Sequence, residues 1–354
     1  MLRHGIKQAV ATLFYKFGII RPTVRRENGF LIMMYHRVLD RDDPEYADTP
    51  PGLAVTTEVF EHQVRFLKRH FQPISMTELV THLREGTPLP SQAVVISFDD
   101  GWRDNYVNAL PILKELGLPA IMYLTTDFIG TCNLMWFDRV GRLLQRQALS
   151  YAQIAEAIDR VAAEHPEAAA AQSLKSADVL ALNNNLALLM DYLKKLTPRL
   201  LYAAVDAMED VAGVSGKPSS GSPVMVNWDE VRDMQANGIE FGSHGCSHTI
   251  MPRMETADLK RELIESKAII EEHTGQPITL LAYPNGDYDD RVVKLVAEAG
   301  YVSAVTTWGD RSDTGLNILA IPRIGIHQGA SVGLSDRFSE AVFAWSLYRA
   351  SRRP

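Results

Sequence analysis

The chain contains 354 residues, of which 46% are hydrophobic and 22% are charged, with 36 Lys and Arg residues against 43 Asp and Glu residues. This composition excludes a disordered chain, and no apolar stretch is long enough for a membrane-spanning helix. The formal net charge of -7 argues against a nucleic-acid-binding protein, which would carry an excess of cationic side chains to neutralise phosphates.

The amino-terminal segment, residues 1–28, is basic, with six Lys and Arg residues and a single acid, Glu27. Lys16 interrupts its apolar stretch and no small-residue cleavage site follows, which argues against a secretory signal peptide. The segment is predicted to form a basic amphipathic helix that either contacts an anionic membrane through residues 1–26 or packs on the domain. Only two cysteines occur and neither lies in a CxxC pair, so we expect a cytoplasmic protein, peripheral to the inner membrane face in the first case.

Short apolar runs alternate with helical stretches along most of the chain. The runs predict buried strands at residues 30–35, 93–98, 120–124, 239–242, 279–283, 302–306 and 319–326. Amphipathic stretches between them predict helices at residues 59–70, 106–116, 259–272 and 290–299. This alternation is typical of a parallel α/β sheet or barrel, which we assign to residues 29–130 and 223–345.

The alternation stops within residues 131–222, where Ala and Leu predominate and apolar side chains such as Leu186, Met190 and Leu193 recur at helical spacing. We expect a helical insertion there. It acts either as a lid that selects the substrate or as a stabilising or oligomerising appendage. Residues 346–354 are interpreted as a C-terminal tail, and the sequence does not predict the oligomeric state.

Two carboxylates, Asp99 and Asp100, follow the most apolar run in the sequence Phe-Asp-Asp-Gly. Asp and Gly both suit turns, so this motif alone is more often structural than functional. Ligands of α/β folds, however, bind at the carboxyl ends of the strands. Both residues are therefore candidates for the functional site.

Two histidines, His244 and His248, follow the run at residues 239–242. If the segment coils, their imidazoles share one face. With one carboxylate from Asp99 or Asp100 they would supply three ligands to a catalytic metal and leave a position open for water. Cys246, between the histidines, is interpreted as a small filler.

Other predicted strand ends carry further candidates. His36 follows the first run and is a candidate proton donor. The turn at residues 282–286 has backbone N–H groups, among them that of Asn285, that either stabilise an oxyanion or only connect a strand to a helix. We expect five residues at or near these ends to bind substrate: Tyr283, Pro284, Trp308, Arg323 and His327.

The motifs at residues 98–101 and 244–248 resemble those of the polysaccharide deacetylases, carbohydrate esterase family 4, also called the NodB homology domain. They occur in the same order, each after a predicted strand. The resemblance implies a deformed (β/α)7 barrel, interrupted here by the helical insertion. It also implies Asp99 as the general base and a divalent metal, usually Zn²⁺ with Co²⁺, Ni²⁺ or Fe²⁺ as alternatives, on Asp100, His244 and His248.

The same resemblance bears on the general acid and on the orientation of the base. Residues 33–36 resemble the members that deacetylate poly-N-acetylglucosamine, which implies His36 as the acid, whereas His327 resembles a late histidine motif and is the competing acid. Ala282 stands where many members carry an arginine in the third motif. We hypothesise that Arg323 supplies this charge, and full activity in an Arg323→Ala variant would contradict the hypothesis.

The resemblance predicts a hydrolase that removes N-acetyl groups from aminosugars of a polysaccharide or glycan precursor, as in exopolysaccharide biosynthesis. One alternative is a deacylase of another amide. A second is a non-heme iron oxygenase built on two histidines and a carboxylate. A third is an inactive, membrane-associated glycan-binding protein, which Ala282 and the basic amino terminus suggest. The second carboxylate and His36 favour hydrolysis, because oxygen activation does not need them.

Overall fold

The computed structural model describes residues 2–18, 29–50, 52–146, 149–166, 170, 175–181, 185–214, 223–307, 316–333 and 336–350. The strands are β1 (Phe30–Tyr35), β2 (Arg37–Leu39), β3 (Ala54–Thr56), β4 (Gln72–Pro73), β5 (Ala93–Phe98), β6 (Ala120–Leu124), β7 (Ile239–Ser243), β8 (Leu280–Ala282), β9 (Ser303–Thr306), β10 (Ile321–Pro322) and β11 (Ile324–Gly325).

The α-helices of the described residues surround these strands. They are α1 (Leu2–Lys16), α2 (Pro44–Asp48), α3 (Thr57–His70), α4 (Met76–Glu85), α5 (Leu110–Leu116), α6 (Trp136–Gln145), α7 (Tyr151–Glu164), α8 (Ser176–Leu180), α9 (Leu186–Leu193), α10 (Pro198–Ala212), α11 (Trp228–Ala236), α12 (Thr256–Thr274), α13 (Asp290–Glu298) and α14 (Glu340–Ala350).

Apart from β2 and β3, which pair in a separate two-stranded sheet, nine of these strands form a nearly closed parallel barrel. Their order is β10, β9, β8, β7, β6, β5, β1 and β11, with the short β4 beside β5. Only Arg323 separates β10 from β11, so the chain leaves one end of the sheet and joins the other. Taken as two halves of one interrupted strand, β10 and β11 complete seven barrel positions, which confirms the predicted deformed (β/α)7 barrel.

Alternate residues of the strands enter different apolar clusters, as the period of a strand requires. Leu31 and Met33 of β1 pack in the main core with the surrounding helices. Ile32 instead packs with Val95 of β5 and Tyr123 of β6 in a second cluster that draws on strands all around the sheet. This second cluster fills the barrel, and the side chains of α4 also pack on it.

The predicted strand at residues 319–326 is split, and hydrogen bonding explains the split. The Arg323 N–H donates to the carbonyl oxygen of Thr306, the last residue of β9, at 3.1 Å. The Ile326 N–H donates to that of Met34 in β1 at 2.8 Å. The chain thus changes its pairing partner at Arg323, and this change closes the barrel.

Between β6 and α11, the described residues form α6 to α10 and a core of their own, centred on side chains such as Ile154, Leu189 and Leu200. Two arginines join this insertion to α2, which lies between β2 and β3. Arg142 pairs with Glu45, and Arg146 pairs with Asp48. The insertion is therefore a helical unit with its own apolar core, and ion pairs hold it against α2.

The two ends of the described chain pack together. Ala11 of α1 is buried against Ala341 and Val342 of α14. The predicted division between residues 345 and 346 falls inside α14, whose Leu347 is buried in the main core. Among the described helices, none combines the length and hydropathy that spanning a membrane requires.

Candidate active site

The candidate site lies where the barrel strands end at their carboxyl termini, the edge at which barrels of this type bind ligands. His36 follows β1, the pair Asp99 and Asp100 follows β5, and the segment with His244 and His248 follows β7. A cavity of about 590 Å³ opens at this edge. Its lining includes His36, Asp99, His244, His248 and Asn285. The fold thus brings together candidates that are far apart in the sequence.

Asp99 forms a bidentate ion pair with Arg323. Nη1 and Nη2 of Arg323 each lie 2.6 Å from one carboxylate oxygen of Asp99. Both side chains are buried, with exposures of 0% and 2%. Burial alone would raise the pKa of Asp99, but the charge and hydrogen bonds of Arg323, together with the charges of His244 and His36, outweigh burial, and the pKa lies below its ordinary value. Asp99 is therefore ionised at neutral pH and able to accept a proton.

Asp100, His244 and His248 form a buried cluster whose three ligand atoms lie within 4.8 Å of one another. The Nε2 atoms of His244 and His248 are 3.5 Å and 3.4 Å from Oδ1 of Asp100. Nδ1 of His244 lies 2.8 Å from the carbonyl oxygen of Ala282. Because a carbonyl only accepts, Nδ1 carries a proton, and Nε2 is the nitrogen that faces the cluster.

The carboxylate of Asp100 is oriented by its neighbour Trp102. The indole Nε1–H donates to Oδ2 at 2.9 Å, whereas Oδ1 is buried without a hydrogen-bond partner among the described residues. Burial would raise the pKa of Asp100, but the neighbouring imidazoles outweigh it and hold the pKa well below its ordinary value. An ionised oxygen with no donor, beside two imidazole nitrogens, fits a divalent cation.

Backbone strain is concentrated at this site. Asp100, His248 and Asn285 have φ angles of 78°, 57° and 60°, in the left-handed region that side chains with a Cβ rarely adopt. Gly101 has a φ of 94°, and a Cβ there would lie 2.8 Å from Cδ1 of Ile129. The Asp-Asp-Gly turn therefore needs its glycine, and the surrounding fold holds the site residues in their strained conformations.

The loop that carries the two histidines is held by residues that the sequence analysis did not identify. Glu262 of α12 accepts the backbone N–H of Cys246 at 2.6 Å and that of Ser247 at 3.2 Å. The hydroxyl of Tyr202, in α10 of the insertion, donates to the carbonyl oxygen of Ser247 at 3.1 Å. No local pattern indicates either residue, because both act on the loop through tertiary contacts.

Two residues that were predicted to bind substrate, Tyr283 and Arg323, are buried in the structure. Tyr283 is fully buried, and its hydroxyl donates to the carbonyl oxygen of Leu319 at 2.7 Å. Arg323 is committed to Asp99 and is also buried. Neither side chain is among the described residues that line the cavity, and a contact with substrate stays a prediction for both. Arg323 instead lies beside the carboxylate of Asp99, where the sequence analysis hypothesised a compensating charge.

Four other residues were singled out in the sequence: Pro284, His327, Trp308 and Cys246. Pro284 is buried and His327 is exposed, and neither is among the described residues that line the cavity. Trp308 lies outside the described residues. Burial raises the pKa of the Cys246 thiol to about 12, so the thiol stays protonated and the residue acts as a filler rather than a thiolate ligand.

The sequence model of the polysaccharide deacetylases matches residues 86–170 and 186–304, which together exceed half of the chain. The protein therefore belongs to the polysaccharide deacetylase family, whose members are metal-dependent enzymes, and the resemblance inferred from the two motifs is confirmed. The Asp-His-His cluster is consistent with that dependence.

Individual relatives match over shorter regions. The poly-beta-1,6-N-acetyl-D-glucosamine N-deacetylase of Escherichia coli (strain K12) is 36% identical over 105 residues, which are 29% of this chain and 15% of that protein. The enzyme of the same name from Staphylococcus epidermidis is 30% identical over 129 residues, 34% of this chain and 43% of that protein. The chain thus aligns with less than half the length of either relative.

A solved structure, IcaB from Ammonifex degensii, shares the fold over most of both chains. It superposes with a TM-score of 0.54 at 14% sequence identity and covers 92% of this chain and 97% of its own. At that identity the likeness establishes the barrel architecture alone.

Proposed function

We propose that this protein hydrolyses the N-acetyl group of an aminosugar in a polysaccharide or glycan precursor. The observation that carries the proposal is the buried Asp100, His244 and His248 cluster beside a second, ionised carboxylate, Asp99, at the cavity of a deacetylase-family barrel. The names of the matched relatives favour poly-N-acetylglucosamine among acetylated glycans.

Asp100, His244 and His248 would hold the metal, for which we propose Zn²⁺. Two imidazole nitrogens and one carboxylate oxygen suit Zn²⁺, and Co²⁺, Ni²⁺ and Fe²⁺ accept the same donors. When bound, a divalent ion polarises the amide carbonyl and lowers the pKa of a coordinated water. Trp102 keeps Oδ1 of Asp100 directed at the cluster by occupying Oδ2.

The remaining residues move protons and orient groups. Asp99 accepts the proton of the attacking water, and Arg323 keeps Asp99 ionised until then. The water oxygen bonds to the carbonyl carbon, the bond between carbon and nitrogen breaks, and acetate and a free amine leave. The Asn285 backbone N–H stabilises the oxyanion, and His36 gives a proton to the departing nitrogen.

The identity of the general acid can be tested by comparing His36→Ala with His327→Ala. His36 lines the cavity and His327 is exposed, so we expect only His36→Ala to lose the basic-side limb of the pH profile of kcat/KM. Its rate should fall by about 10²- to 10⁴-fold, the usual contribution of a general acid. Loss of that limb in His327→Ala alone would assign the acid to His327.

The activity itself is tested by a mass-spectrometric screen for acetyl loss across acetylated glycans and other amides with metal-loaded protein. Release of acetate under anaerobic conditions excludes an oxygenase. A protein that carries metal and binds glycans but releases no acetate from any of them would be the inactive glycan-binding protein instead.

We also propose peripheral contact between α1 and an anionic membrane. Val10, Leu13 and Phe17 recur at helical spacing and are 37%, 52% and 73% exposed, beside the face of α1 that packs on α14. The segment around them is basic, which suits anionic lipid.

The membrane contact predicts a specific change in vesicle binding. A Leu13→Ser/Phe17→Ser variant should bind vesicles of mixed anionic and neutral lipid at least about tenfold more weakly, because two apolar side chains no longer enter the bilayer. Ile264→Ser, at a side chain of α12 that is 57% exposed, is the matched control and should leave binding unchanged. Equal binding of the wild-type protein to purely neutral vesicles would contradict the electrostatic part.

A further inference from the structure

The helical insertion forms one wall of the active-site cavity. Trp136 and Phe137 of α6, Met190 of α9 and Lys194 directly after α9 line the same space as the metal-ligand candidates. Any glycan that reaches the cluster from this side must therefore lie against side chains of the insertion. These side chains belong to the helical insertion and not to the barrel strands.

The wall is fixed to the barrel at several points. The ring centroids of Phe137 and His248 are 5.1 Å apart, and Tyr202 hydrogen-bonds the histidine loop. The amide of Gln145 in α6 donates to the carbonyl oxygen of Thr49 at 3.0 Å. These contacts hold the aromatic side chains of α6 in place beside the metal-ligand candidates, so the wall presents a preformed surface.

Charge distinguishes Lys194 from the rest of this wall. Among the described residues that line the cavity it is the only Lys or Arg, and no described acid forms an ion pair with it. Asp99 is neutralised by Arg323, and Asp287, also in the lining, is exposed and accepts from the side-chain amide of Asn285 at 2.8 Å. Lys194 is thus the one Lys or Arg among the described residues that line the cavity, and no described ion pair occupies its ammonium.

We infer that the insertion selects the substrate, with Phe137 stacking on a sugar ring and Lys194 binding a phosphate group carried by the acetylated aminosugar or by its neighbour. Aromatic side chains with a few placed polar groups are the usual means of ligand selection, and a lysine ammonium is a compact partner for phosphate. The inference rests on the proposed deacetylation in this cavity and adds that the substrate is anionic.

The test measures binding rather than turnover. Metal-loaded protein is titrated calorimetrically with N-acetylglucosamine and with N-acetylglucosamine 1-phosphate. Wild-type protein should bind the phosphorylated probe about tenfold to a hundredfold more tightly, since a hydrogen bond to a charged group contributes on that scale. Lys194→Ala should abolish this preference and leave the neutral probe within about twofold of its wild-type affinity, and the adjacent Lys195→Ala should change neither.

Phe137→Leu provides an independent signature. It should weaken both probes by similar factors, because stacking does not depend on the phosphate, and its metal content should match that of the wild-type protein. A third probe, a lipid-linked N-acetylglucosamine diphosphate in vesicles, distinguishes the source of the phosphate. Tighter binding than the soluble probe, lost in Lys194→Ala, assigns a lipid-linked precursor, and equal binding assigns a soluble or polymer-borne phosphate.

Equal affinity of wild-type protein for the two soluble probes, or an equal loss of both in Lys194→Ala, would overturn the inference. Acetate release is measured separately. Preserved selectivity for phosphate without acetate release would show that the proposed deacetylation fails while the anionic subsite stands. Acetate release without selectivity for phosphate would show that the anionic subsite fails while the proposed deacetylation stands.

Discussion

Asparagine in place of Asp99 is expected to lower kcat/KM for acetate release by about 10²- to 10⁴-fold, the contribution of a general base. The amide has nearly the same shape as the carboxylate but cannot accept the proton of the attacking water. Metal content, measured by elemental analysis, should stay at the wild-type level, because Asp99 is not one of the three clustered ligands. Unchanged turnover in Asp99→Asn would contradict the mechanism.

This substitution has a structural cost that needs its own control. Removing the charge of Asp99 leaves the Arg323 guanidinium buried without its counterion, which is expected to destabilise the protein by about 3–5 kcal/mol. A double variant, Asp99→Asn/Arg323→Gln, removes both charges and should recover part of the free energy of unfolding without recovering activity. Recovery of activity along with stability would show that Asp99 acts through folding alone.

Loss of Arg323, the other member of this ion pair, is expected to shift the pH dependence of kcat/KM. Arg323 lowers the pKa of Asp99 against the opposing effect of burial. Without the guanidinium, as in Arg323→Gln, the largest opposing effect is lost and the pKa of Asp99 rises. The base is then protonated over a wider acidic range, so the acid limb of the kcat/KM profile moves to higher pH. Activity should fall more in acidic than in mildly alkaline buffer, and a uniform fall would argue against an action through Asp99.

His244→Ala is expected to lose bound metal and acetate release together. It removes an imidazole whose tautomer is set by the Ala282 carbonyl and whose Nε2 faces Asp100. Elemental analysis of the purified protein should find the metal present in wild-type protein and absent in the variant. His82→Ala, at a partly exposed histidine of α4 that is not part of the cluster, is the matched control and should keep both metal and activity.

A milder variant separates loss of metal from loss of the fold. Trp102→Phe keeps an aromatic side chain but removes the N–H that donates to Asp100, and a lost contact of this kind lowers metal affinity by about 10- to 100-fold. Activity of Trp102→Phe should return when metal is added in excess, whereas that of His244→Ala should not. Full metal content and activity in His244→Ala would exclude the proposed ligand set.

The barrel itself was predictable from local patterns. The apolar runs at residues 30–35, 93–98 and 120–124 coincide with β1, β5 and β6. Buried parallel strands are continuous apolar runs, and strand ends are marked by turn-forming residues, so both signals lie within a few positions of the chain. The Asp-Asp-Gly and His-x-x-x-His motifs could be placed at strand ends for the same reason.

The residues that contact those motifs could not be predicted from local sequence patterns. Arg323 was assigned a substrate contact and, as a hypothesis, a charge beside the base, and only the closing of the barrel between β10 and β11 brings it within 2.6 Å of Asp99. Tyr283 follows a strand like the other candidates, yet the packing of the turn buries it. Glu262 and Tyr202 gave no local signal, and a substrate-selecting lid was only one of two alternatives for the insertion.

The amino-acid sequence by itself thus determined the strands, their likeness to one family, and the identity of the motif residues, because hydrophobic period and turn chemistry are local properties. The tertiary structure decided which side chains meet, which are buried, and which charges are compensated. Those properties depend on contacts such as that between Arg323 and Asp99, whose residues are 224 positions apart, and no local pattern encodes such a contact.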